Sequence, residues 1–178
     1  MESKRFFITQ SGFSLIEILI SLLVISIGML GLGGLQLFAL KGSNNAHFRT
    51  VASLAATDLA DRMRANPVAV ENNLYSKTLG IEHCETALTT ICEANVECTP
   101  SELSSYDLYR VNCGVSVGSV QTGGVQYDLP QALLEIGCAT IPCSGGQDHI
   151  IRVEWQESDS KDNDAADQAS RYELSFIP

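Results

Sequence analysis

The sequence predicts an α+β protein in which one long amino-terminal helix precedes a small antiparallel sheet. Three observations carry this. Between Phe13 and Leu40 the only charged residue is Glu17. Apolar residues then recur at helical spacing as far as Met63. In the last third of the chain, short alternating or β-rich runs are separated by paired glycines. A length of 178 residues suits a membrane helix plus one compact domain.

The helix comes first in the chain. A bilayer core needs about 20 apolar residues, and the stretch 13–40 supplies 28. At a rise of about 1.5 Å per residue it would be about 42 Å long, so both ends reach an interface. Gly28, Gly31, Gly33 and Gly34 interrupt this part. Two readings stand side by side: close approach to neighbouring helices, which small residues permit in membranes, or local melting, since glycine costs up to about 1 kcal/mol in an exposed helix. The second part, 41–66, becomes amphipathic. Phe48, Ala52, Ala55, Leu59 and Met63 form an apolar stripe opposite Arg49, Asp58, Asp61, Arg62 and Arg64. Asn66-Pro67 then stops the helix, because a residue before proline avoids the helical region.

The order of parts at the amino terminus is unusual. A short leader, 1–12, carries Lys4 and Arg5 and ends in Gly12, ahead of the apolar segment. A secretory signal places its cleavage site after the apolar region and so loses it. Cleavage between Gly12 and Phe13 would keep it. Lys4 and Arg5 favour a cytoplasmic amino terminus, although Lys41 and Arg49 flank the other side. Glu17 then needs explaining, because a carboxylate in the membrane costs at least about 2.5–3.5 kcal/mol and is usually paired. Cleavage would create a cation, the new amine of Phe13. Glu17 lies four residues on and could reach that amine within its own helix or on a neighbouring subunit. The plainer alternative is a Glu17 that snorkels to the interface.

Leader, Gly12, Phe13, Glu17 and apolar helix together resemble the amino-terminal region of type IV pilins and pseudopilins. The resemblance implies a type IV pilin-like fold, cleavage after Gly12 by a prepilin peptidase and methylation of the Phe13 amine by the same enzyme. It also implies a role for Glu17 in processing and in docking into a growing filament. The run 58–67, Asp-Leu-Ala-Asp-Arg-Met-Arg-Ala-Asn-Pro, is similar to the segment after the long helix in PilV-type minor pilins, the type IV pilus modification proteins. That similarity implies a minor pilin acting in initiation or modification of pilus assembly, with other minor pilins and the major pilin as partners. A minor pseudopilin of a type II secretion system is the alternative. The implied location is the inner membrane, crossed once with the head in the periplasm, and then the filament or its tip at the cell surface.

The head, 67–178, holds all six cysteines: Cys84, Cys92, Cys98, Cys113, Cys138 and Cys143. An even number in an exported part reads as disulfides. Cys138 with Cys143 is the best single pair, and the other four cysteines are left unassigned. A metal site using His83 or His149 beside cysteines is disfavoured, because no short Cys-x-x-Cys spacing occurs. Residues 68–105 read as a loop-rich connector with a short helix near Glu82–Leu88. Alternation of Tyr109, Val111, Cys113, Val115 and Val117 predicts a strand over Leu108–Val120. Gly123-Gly124 and Gly145-Gly146 predict turns, and strands are expected over Leu133–Ala139, Ile150–Trp155 and Arg171–Ile177. The strand ending at Trp155, followed by an acidic stretch, is again similar to PilV-type sequences. That stretch, Glu157–Asp167, lacks the calcium-loop pattern and reads as a solvated hairpin loop.

Charge narrows the function. From Pro67 onward there are 17 Asp and Glu against 5 Lys and Arg, a net of −12. A head of this sign repels nucleic-acid backbone, so direct nucleic-acid binding by the head is not expected. No phosphate loop, nucleophile elbow or His-Glu-x-x-His occurs. The reading is therefore a structural subunit without catalytic residues or cofactor, and a membrane-anchored periplasmic enzyme is the remote alternative.

Overall fold

The computed structural model describes residues 12–86, 88–93, 96–117, 120–138, 140, 141, 143, 146–156 and 169–178. Lys4 and Arg5 of the leader and the acidic stretch Glu157–Asp167 lie outside the described residues. The chain divides into two compact units between Ser43 and Asn44.

One helix, α1 (Leu15–Ala65), runs from the first unit into the second. In the first unit its side chains are exposed almost throughout: Leu22, Ile25, Leu30 and Phe38 lie open among many others. This helix is long and apolar enough to cross a membrane. A Cβ added at Gly28, Gly31, Gly33 or Gly34 would meet nothing within 4 Å.

In the second unit the predicted stripe is buried. Ala52, Ala56, Leu59, Ala60 and Met63 are inaccessible or nearly so, with Phe48, Val51 and Ala55 packed at their margin. They share one core with the inner face of a four-stranded antiparallel sheet. Its strands are β1 (Thr78–Leu79), β4 (Leu133–Cys138), β5 (His149–Gln156) and β6 (Ala169–Phe176), in the spatial order β1-β4-β5-β6. Register explains the core. Ile136, Ile151 and Leu174 form one row across three strands, and Leu134, Val153 and Tyr172 form the next. Because side chains alternate between faces, the intervening residues Glu135, Arg152 and Glu173 fall on the outer face.

The expected strand over Leu108–Val120 is not formed. Residues Pro100–Cys113 form a 14-residue helix, α4. The local cause is a capping box: Thr99 accepts from the Glu102 N–H, the Glu102 carboxylate accepts from the Thr99 N–H, and Pro100 occupies the first turn. Buried Ser104, Leu108 and Val111 recur at helical spacing. Of the predicted strand, Val115–Val117 is extended as β2 and Val120 begins β3 (Val120–Thr122), the two paired in a separate two-stranded sheet.

The break between α4 and β2 is Gly114, at φ +74°. A Cβ there would lie 2.2 Å from the Thr122 carbonyl oxygen, so only glycine fits the crossing. The expected turn at Gly123-Gly124 is present, with both residues at positive φ. The connector expected over 68–105 holds more structure than foreseen: α2 (Pro67–Glu71), β1, α3 (Glu82–Glu85) and the start of α4. A last short helix, α5 (Val125–Asp128), leads into β4.

Candidate functional site

Two regions carry candidate functional residues. At the amino-terminal end, Gly12, Phe13 and Ser14 precede the helix and are exposed, Phe13 by 81%. Helix hydrogen bonding starts at Ser14, whose carbonyl accepts from the N–H groups of Glu17 (3.0 Å) and Ile18 (3.3 Å). Glu17 thus sits in the first turn, where the unpaired N–H groups and the helix dipole favour a negative charge. Among the described residues no salt bridge involves Glu17. Its neighbours in the apolar run are treated differently. Ser21 and Ser26 each donate their hydroxyl to the carbonyl four residues back, at 2.7 Å, which removes two polar donors from an otherwise apolar surface. Glu17 is the one charged side chain on the stretch 13–40, and it is exposed.

The second region is the run 58–67 and what it touches. Arg62 bonds Asp58 one turn back at 3.0 Å and reaches Asp107 of α4 at 3.1 Å. Burial works against the Arg62 charge, but the hydrogen bonds to Asp58 and Asp107 outweigh it and hold its pKa above the ordinary value. The other oxygen of buried Asp107 accepts from the Tyr75 hydroxyl at 2.7 Å. Burial, and then this bond, push the Tyr75 pKa well up. Asn66 donates to the Pro100 carbonyl at 2.9 Å and to the Tyr75 hydroxyl at 3.3 Å. Arg64 pairs with Asp61 and lies 5.0 Å above the Phe176 ring. Leu59, Ala60 and Met63 are core residues, and Pro67 opens α2. Almost every residue of the run has a structural partner. Asp107, the buried carboxylate at the centre, was not singled out in the sequence. A lone Asp in a mixed segment gives no local sign of its burial.

The cysteines pair as Cys84–Cys113, Cys92–Cys98 and Cys138–Cys143, so no thiolate remains for a metal or a nucleophile. His83 and His149 are far from a ligand set. His149 bonds the Gln147 carbonyl at 3.0 Å, and burial, with Lys77 next, lowers the His83 pKa. Among the described residues no three His, Cys, Asp or Glu side chains converge on a common point suited to a metal.

Comparison with known proteins agrees with the amino-terminal geometry. Residues 9–33 match the prokaryotic N-terminal methylation motif, and residues 34–109 match the family described as type IV pilin Tt1218. The two matches run end to end across both candidate regions. They support a type IV pilin, of a pilus or pseudopilus system, and a long apolar helix packed on a small antiparallel sheet is the fold of that class. The methylation motif implies processing by a prepilin peptidase. No curated protein and no solved structure matches the chain.

Proposed function

We propose that this pilin is a minor subunit of the PilV type, cut between Gly12 and Phe13, methylated at Phe13, and used in initiating or modifying type IV pilus assembly with other minor pilins and the major pilin. The observation that carries the processing and assembly reading is the exposed Glu17, without an ion pair among the described residues, in the first turn of a bare apolar helix, four residues after Phe13. Such a carboxylate in a low-dielectric bundle calls for a cation, and the amine freed by cleavage is the nearest one the chain can make. Packing of the same helix against other pilins covers the apolar surface that the lipid covers beforehand. Until assembly, the subunit sits once through the inner membrane with its disulfide-bonded head in the periplasm, an oxidising compartment.

The run 58–67 supports the PilV-type reading by sequence. The structure gives it a physical role as well, since Arg62 and Asn66 clasp the end of α1 to α4 and to Tyr75. Mass spectrometry of sheared surface filaments and washed membranes from native cells tests the proposal. A methylated Phe13 amino terminus in the filament fraction is the expected result. That terminus confined to membranes, with normal piliation and failed enzyme secretion in a deletion strain, would move the subunit to a type II secretion pseudopilus. An intact Met1 terminus in cells whose other pilins are processed would overturn both.

A further inference from the structure

A groove of about 290 Å³ opens within the second unit between α1, α4 and the start of α5. One wall is a single face of α1, where Val51, Leu54, Ala55 and Asp58 stand at the spacing that brings helical side chains together. Val111 of α4 and Gly124 face them. Val51 and Ala55 pack at the margin of the core, but Leu54 stays 66% exposed. The wall at Gly124 is fixed by backbone. Its φ is +81°, and a Cβ there would lie 2.3 Å from the Gly114 nitrogen.

Size and charge say what would fit. Enclosed small-molecule sites run to about 300–1,000 Å³ and bury most of their ligand. This groove is smaller and open along Leu54, which suits side chains of a protein segment. Three charged residues line it, and two are satisfied within the head. Both oxygens of Asp58 accept from Arg62 Nε, at 3.1 and 3.0 Å. Arg110 lies 3.8 Å from Glu93 and over the Tyr106 ring. The third, Asp128, is exposed, and among the described residues its carboxylate has neither ion pair nor hydrogen bond. Apolar surface thus stands beside one uncompensated negative charge.

We infer that this groove docks a segment of a different, basic protein subunit. The segment sets an apolar side chain against Val51, Leu54 and Val111 and a Lys or Arg against Asp128. An apolar guest without the cation would cover an unpaired carboxylate, and an acidic guest would be repelled. A second copy is the poorer occupant on charge grounds. It brings another head whose formal charge from Pro67 onward is −12, and four of its cations, Arg62, Arg64, Arg110 and Arg152, are already paired.

The test uses the full chain in native cells. It places p-benzoylphenylalanine at exposed Tyr127 in α5, next to Asp128, and, as control, at exposed Ser175 on the outer face of the sheet. The expected result is an adduct with a different protein from position 127 and not from 175. Asp128→Lys should cut that adduct at least about tenfold. Replacing the captured Lys or Arg by Glu should restore it. The Asp128→Lys chain in detergent should keep its urea midpoint, so that the loss is not one of folding. Absence of an adduct, an adduct formed only with a second copy, or one indifferent to Asp128→Lys would overturn the inference. The Phe13 peptide, read from the same sample, reports separately on the pilin assignment.

Discussion

One helix serves two surroundings, and the contrast between its halves is instructive. Residues Asn44–Ala65 bury Ala52, Ala56, Leu59, Ala60 and Met63 within their own subunit. The stretch before Ser43 buries almost nothing, although it is far more apolar. The buried half needs small residues and one polar side, because the sheet covers one face only. The bare half is apolar all round, because its cover comes from outside the chain. Stability of the head is therefore a property of the second half, and the proposed assembly chemistry belongs to the first.

The largest effect that would break this division is Glu17→Ala. It should leave membrane insertion and the head's thermal unfolding unchanged while removing the subunit from sheared filaments. Normal incorporation of the alanine form would show that the carboxylate needs no cation. Leu59→Ala should do the converse, costing the head about 2–5 kcal/mol by leaving a core cavity, whereas exposed Leu22→Ala should leave the unfolding midpoint in detergent unchanged. Replacing both Cys84 and Cys113 by serine releases a bond spanning 29 positions and should cost about 3.6 kcal/mol on loop-entropy grounds, against about 2.2 for Cys138 and Cys143, which are 5 apart. Comparing the two urea midpoints checks the order.

Asp107→Ala takes the acceptor from the Tyr75 hydroxyl and leaves Arg62 with Asp58 and water, and should cost about 1–3 kcal/mol. The smallest effect is Thr99→Ala at the start of α4, about 1 kcal/mol. Its partner gives a pH signature. The Thr99 N–H and hydroxyl bonds hold the Glu102 pKa below the ordinary value, so its contribution is present above the normal carboxylate range and is lost as pH falls through the depressed value. Glu102→Gln should flatten that acid limb in thermal melts taken across it.

The sequence pattern identified α1, β4, β5 and β6: α1 from an apolar run followed by a stripe at helical spacing, and the strands from short β-rich runs near turn signals. It failed at residues 100–117 for a definite reason. A window centred on Val111 and Cys113 straddles a helix end and a strand start, and Tyr109, Val111, Cys113, Val115 and Val117 alternate by coincidence across the junction. The signal that overrules it stands upstream, in Thr99, Pro100 and Glu102. Strand β1 had no local signal at all. Its two residues are extended because β4 offers them a ladder. At the amino terminus, the proposed roles of Gly12, Phe13 and Glu17 rest on their order along the chain. The Arg62–Asp107–Tyr75 cluster was not, since it joins positions 32 to 45 residues apart.

The placement of the three disulfides has a mechanical meaning. All six cysteines lie after residue 83, and each bond closes a loop within the head. None fastens α1 to the sheet. Tension applied to the helix against its own head therefore falls on non-covalent contacts: the apolar packing of Leu59, Met63 and their alanine neighbours, the bridge from Arg62 to Asp107, and the Asn66 bonds. The covalent link between the two is the peptide crossing at Asn66-Pro67. Reducing agents therefore cut no covalent tie between helix and sheet, whereas loss of the Arg62–Asp107 bridge removes a polar part of the grip itself.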